Sequence, residues 1–263
     1  LPSEMRTIII LPMRRFFSVF AMIALAVGCG SEKSSSDRPS LVVTTSVLGA
    51  VVSDVVGKAA DVIVLVPNGT DPHDWEPSAK DVEAIGRADL VVANGLDLEE
   101  KLVETLAAAE VDGVRVFRAT DHVALIDDDP HFWTDPLAMA SVVDALGTEL
   151  SNLGIEVDER VARVVTDLKD VDGVITQLLS SLSDDRRVLV TGHDSLGYFA
   201  EHYQFTLLGS IIPGFTSAAD VNAGDLAELK KAIVSTGASV VFTELGTPAD
   251  VADALASETG TRV

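Results

Sequence analysis

The chain has 263 residues and a formal charge of −22, from 41 acidic against 19 basic side chains, and 47% of it is apolar. That length suits one large or two small domains with real cores. The acidity argues against nucleic acid or anionic membrane as a partner, and a lone cysteine rules out a disulfide-stapled fold.

Met13 makes a better beginning than Leu1, because Arg14 and Arg15 form a positive stub before an apolar run over 16–27. That run is too short for a bilayer, which needs roughly 20 residues, so residues 1–28 read as a secretion signal with an upstream extension. Ala26-Val27-Gly28-Cys29 resembles the bacterial lipoprotein processing box, with Ala26 where leucine is usual. The resemblance implies an acylated Cys29 anchored in the lipid bilayer, each buried CH₂ contributing about 0.8 kcal/mol. The alternative is a free thiol in a discarded segment. Residues 29–40 are polar and serine-rich, as suits a flexible tether.

From Leu41 onward, β-branched runs alternate with helical patterns, the signature of parallel strands joined by crossover helices. Strands are expected at 41–45, 62–66, 90–93 and 114–117, and helices at 47–56, 78–85 and 98–109 with Ser78 as an N-cap. Asp135-Pro136 opens a helix to about Leu153. A second, long helix follows over 157–182, with Val161, Val164, Leu168, Val171, Ile175, Leu178 and Leu182 on one stripe. Further strands are expected at 187–191, 206–208 and 239–243, and helices at 195–203, 224–235 and 248–257, the last N-capped by Thr247. The fold class is therefore α/β: two parallel-sheet lobes, 41–156 and 185–263, joined by one long helix over 157–184. The second lobe reads as truncated.

Three of the five histidines share an address. His73 lies in the turn-rich loop after the second strand, His131 in the loop beyond the fourth, and His193 one glycine past the strand ending at Thr191. Glu244 follows the strand over 239–243. Ligands of open α/β sheets bind outside the carboxyl ends of strands. Taken singly, a loop histidine more often has an ordinary surface or capping role than a metal; the coincidence of position shifts that balance.

The flanking residues are similar to those of the zinc/manganese-type solute-binding proteins of bacterial ABC importers. Asp71-Pro72-His73-Asp74-Trp75-Glu76-Pro77-Ser78 resembles that family's first metal loop, Asp129-Pro130-His131-Phe132-Trp133-Thr134-Asp135-Pro136 its second, and Gly192-His193-Asp194-Ser195-Leu196-Gly197 its third. Ala88 to Gly95 with Leu98-Glu99 matches the segment after the first loop. The resemblance implies two similar lobes on a rigid helix, with His73, His131 and His193 holding the metal in the cleft between them. It places the usual fourth ligand, a carboxylate, beyond Gly260 and leaves Glu244 as a fallback or as a group behind the ligands. Three nitrogens favour Zn²⁺, with Mn²⁺ open as an alternative, and manganese members commonly carry glutamate where His193 stands. Asp135 and Asp194 are candidate acceptors for the imidazoles. The family's histidine-rich loop is missing; Asp127 to Asp129 stand there, most simply as a solvated acidic loop, with only His122 upstream.

The implied function is extracytoplasmic capture of a divalent transition metal and its delivery to an ABC permease, by a monomer and without a chemical step. Two alternatives stay open: a secreted zinc hydrolase with an open water position, and a surface adhesin on the same fold.

Overall fold

The computed structural model describes residues 38–263; the expected signal core, Cys29 and most of the tether lie outside them. Strands β1 (Ser40–Val43), β2 (Asp61–Val64), β3 (Leu90–Ala93) and β4 (Val116–Arg118) form a parallel sheet in the order β2-β1-β3-β4. Past Ser40 the two inner strands are apolar at every position because both faces are covered. Leu41, Val43, Leu90 and Val92 pack under helices α1 (Ser46–Val56) and α4 (Pro136–Asn152). Val42 and Val91 pack under α2 (Ala79–Gly86) and α3 (Val103–Val111). Ser78 and Asp81 cap α2 reciprocally, each side chain accepting from the other's backbone N–H. Helix α3 begins later than expected. Gly95, Leu96 and Asp97 all take positive φ, of 96°, 49° and 54°, and a 3₁₀ turn over Glu100–Leu102 precedes the helix.

The long helix is α5 (Asp158–Leu179), 22 residues and about 33 Å end to end. It lies against α4 at Gly147, where a Cβ would stand 2.7 Å from Val161, so the two backbones approach only because that side chain is absent. The expected apolar stripe is covered only along its first half. Val164 is buried, whereas Val171 and Leu178 are 48% and 71% exposed, beyond the reach of the first-lobe core.

In the second lobe β5 (Val188–His193) pairs in parallel with β6 (Thr206–Ile212), flanked by α6 (Gly197–Tyr203), α7 (Ala223–Thr236) and α8 (Ala249–Thr259). The strand expected over 239–243 makes one isolated bridge, Val240 to Arg262, and one bond from Phe242 N to Val190 O of 2.8 Å. It runs beside β5 without forming a ladder. Thr247 does not cap α8. Its hydroxyl is turned toward Glu244 N at 3.4 Å, and Pro248 takes the cap position with no side-chain bond.

Helix α6 joins the lobes. Tyr198 inserts into the first-lobe core, and the Arg187 guanidinium donates to Tyr203 O and Leu179 O at 2.6 and 2.9 Å. His202 stands between Asp135 at the start of α4 (3.0 Å) and Asp172 of α5 (2.9 Å). No helix among the described residues is long and apolar enough to cross a membrane.

Candidate metal centre

Two of the three histidines are positioned by the same tripeptide. In Asp71-Pro72-His73 and in Asp129-Pro130-His131 the aspartate Oδ1 accepts the histidine backbone N–H, at 3.0 and 2.9 Å. This is the Asx turn, in which a short carboxylate closes on the backbone two residues on while proline fixes the residue between. The second loop is pinned further by Asn94, whose Nδ2 donates to Pro130 O at 2.9 Å. Asn94 N in turn donates to the buried Glu99 carboxylate at 2.9 Å, and Thr44 Oγ1 donates to the same oxygen. Burial pushes the Glu99 carboxyl above its ordinary range, against these hydrogen bonds. The third histidine ends β5, and its N–H donates to Glu244 Oε1 at 2.8 Å.

These elements bring His73, His131 and His193 together, each almost wholly buried. His131 Nε2 lies 3.3 Å from His73 Nε2 and 3.0 Å from His193 Nε2. Four nitrogens set tetrahedrally at Zn–N distances near 2.0–2.1 Å would stand about 3.3 Å apart, so the spacing suits one small cation. His131 and His193 cannot hold each other in place by hydrogen bonding. His131 Nδ1 faces Asp129 Oδ1 at 2.7 Å, and His193 Nδ1 faces Glu244 Oε1. A carboxylate can only accept, so each puts the ring proton on Nδ1 and leaves an Nε2 lone pair facing inward. Two converging lone pairs repel unless a cation lies between them.

Charge on His73 is suppressed as well. His73 is pushed down to about 4, by burial first and then by the neighbouring His131 and His193. Burial alone would raise the Glu244 carboxyl, but hydrogen bonds from the His193 ring and backbone and from Ser195 bring it below its ordinary value. It is therefore a carboxylate at neutral pH.

Several expected roles fall elsewhere. Asp135 caps α4, accepting from Leu137 N at 2.7 Å, and gives its other oxygen to His202. Asp194 accepts from Gly214 N at 2.7 Å and steadies the 213–219 loop. Neither contacts an imidazole of the trio, because each is drawn to a nearer backbone N–H. Glu244 sits behind His193, with Oε1 occupied by that residue and by Ser195 Oγ at 3.2 Å, rather than beside the Nε2 cluster as a fourth donor would. Asp127 and Asp128 are exposed, but Asp129 is 1% exposed and orients His131. The acidic run is not uniformly solvated. Of the two tryptophans, Trp133 lies edge-on against His131 with ring centres 5.2 Å apart, and Trp75 packs into the core under α2 and α3. His122 stacks on Phe117.

Asp129 was the residue missed, and the sequence carried a signal for it. The repeated Asp-Pro-His marks both turns, and glycines mark where the carboxylates need room. A Cβ at Gly197 would collide with Asp129 Oδ2, and one at Gly192 would stand 2.8 Å from Glu244 Oε2.

Comparison with known proteins follows the same lines. The family model described as zinc-uptake complex component A, periplasmic, matches residues 41–263. The zinc-binding protein TroA of Treponema pallidum is 30% identical over 240 residues, covering 86% of this chain and 77% of that protein. The manganese-binding lipoprotein MntA of Halalkalibacterium halodurans is 30% identical over 207 residues, covering 73% of this chain and 68% of that one. The solved structure of periplasmic zinc-binding TroA from Treponema pallidum superposes with a TM-score of 0.75 at 27% identity, over 86% of this chain and 87% of that one.

Proposed function

The chain belongs to the family of periplasmic zinc-uptake components, and from that premise we propose that it captures a divalent transition metal outside the cytoplasm and hands it to an ABC permease. His73, His131 and His193 are the proposed ligands, with Asp129 and Glu244 orienting two of them. The observation that carries this reading is the convergence of buried Nε2 atoms at 3.0–3.3 Å, with the tautomers of His131 and His193 set from behind. An all-nitrogen set favours zinc over manganese, which prefers a larger share of oxygen. Three nitrogens leave one tetrahedral position for a further donor. The working units are a lobe over 41–156 carrying His73 and His131, a linking helix over 157–184, and a lobe from 185 carrying His193.

A carrier needs no general base, and the two carboxylates nearest the cluster are engaged with imidazole Nδ1 atoms. That supports transport over hydrolysis. Equilibrium dialysis with metal analysis tests the reading: one zinc per chain is expected, lost in His131→Ala. Zinc-dependent turnover of ester or phosphate substrates that disappears in the same variant would sink it. We place the protein as a monomer anchored through acylated Cys29. Cys29→Ala should then release it from the membrane fraction into the soluble one, and retention would refute the anchor.

A further inference from the structure

Three imidazoles converge, but only two have a carboxylate oxygen against Nδ1: Asp129 hydrogen-bonds His131, and Glu244 lies in close contact with His193. His73 is the exception: its buried Nδ1 has no hydrogen-bond partner and no carboxylate oxygen nearer than 3.9 Å. Once a cation takes His73 Nε2, the ring proton must sit on Nδ1, and a buried N–H without an acceptor is destabilising. Asp71, the aspartate of its own loop, is committed elsewhere, to His73 N and to Ser217 Oγ at 2.5 Å. The next carboxylate is Glu100, on the 3₁₀ turn before α3, with Oε1 3.9 Å from His73 Nδ1. Its side chain is 42% exposed and faces a cavity of about 560 Å³ that also meets His73, so it has room to move. An approach of about 1 Å would make an ordinary N–H···O bond.

We infer that Glu100 is the acceptor for His73 Nδ1–H in the cation-loaded site, a positioning residue that completes one carboxylate per imidazole. The inference rests on the proposed ligand set. It ties the site to the second lobe as well, because Glu100 Oε1 accepts from Thr216 Oγ1 at 2.6 Å across the cleft. The carboxylate that steadies His73 thus also holds the 213–219 loop against the first lobe.

The test compares the full chain with Glu100→Ala, Glu100→Gln and Glu104→Ala. Glu104 lines the same cavity one helical turn on, and its loss removes an equal charge. Zinc affinity is read by chelator competition, and the His73 Nδ1–H by proton NMR of the zinc-loaded protein. Glu100→Ala should weaken zinc by about 10–100-fold and lose the protected ring-proton signal to exchange. Glu100→Gln keeps an acceptor oxygen and should restore the signal and most of the affinity. Glu104→Ala should stay within about threefold of the parent, since an exposed charge is screened. The inference is overturned if Glu100→Ala binds like the parent, if Glu104→Ala weakens binding equally, or if the ring-proton signal survives in Glu100→Ala. A parent that binds no zinc, or that still binds after His131→Ala, would instead refute the ligand set.

Discussion

Asp129 and Glu244 give His131 and His193 a fixed tautomer, which an isolated imidazole lacks. Replacing either by alanine frees the ring to rotate and lets the proton move to Nε2, where it blocks the cation. Each substitution should weaken zinc by about 10–100-fold, measured by competition with a chelator of known affinity, while the fold persists. Gly192→Ala should act at the same place, because the new Cβ would stand 2.8 Å from Glu244 Oε2 and nearer still to Thr247 Oγ1, which accepts from Glu244 N, so both must shift. Its zinc affinity should fall toward that of Glu244→Ala. His73 carries a pH dependence of determinate sign. Its pKa falls from 6.5 to about 4 on folding, so between those values the unfolded chain binds a proton that the folded one refuses. Stability of the metal-free protein from this group is complete above 6.5 and drains away as pH drops toward 4. Urea midpoints across that window should decline less steeply in His73→Gln than in the parent.

At the scale of elements, the decisive junction is where α4, α5 and α6 meet. Both nitrogens of His202 face carboxylate oxygens, at 3.0 and 2.9 Å, and Tyr203 Oη donates to the same Asp172 at 2.9 Å. The cluster joins the start of the first lobe's last helix, the spanning helix and the helix that follows His193. His202→Ala would remove the imidazole between two carboxylates, leaving Asp172 with Tyr203 Oη and Asp135 with Leu137 N. A loss of about 1.5–3 kcal/mol is expected from the hydrogen bonds to charged groups, read from urea unfolding of the metal-free protein. The elements themselves were largely legible in the sequence. Ser78 with Asp81 and Asp135 with Pro136 mark helix starts by capping chemistry that acts within four residues. Thr247-Pro248 carried the same local signature and failed, because the Thr247 hydroxyl found a partner at Glu244.

Over the whole molecule, the site is shared: His73 and His131 come from the first lobe and His193 from the second. Asp71 with Ser217, and Glu100 with Thr216, add hydrogen bonds across the same cleft. A cation bound there links the lobes as well as filling the site. Zinc at about a thousandfold excess over its dissociation constant should stabilise the fold by about 4 kcal/mol. Thermal denaturation should show that increment in the parent and lose it in His193→Ala. Ser217→Ala should leave the equilibrium fold intact and speed zinc release, measured by stopped-flow chelator exchange; an unchanged rate would remove the loop from the release pathway.

The sequence by itself determined the α/β alternation, the spanning helix and the three histidine loops. Each rests on local chemistry: the periodicity of apolar residues, Asp-Pro-His turns, and glycine or proline at the ends of elements. It could not decide which acid serves which imidazole. Asp194 adjoins His193 and Asp135 lies within one helical turn of His131, yet both turn to backbone N–H groups instead. Glu244 reaches His193 across 51 residues of chain. The long apolar stripe of α5 likewise promised burial along its length, but only tertiary packing showed that the first-lobe core stops halfway. Side-chain hydrogen bonds and coverage depend on which elements stand side by side, and that is a property of the folded chain.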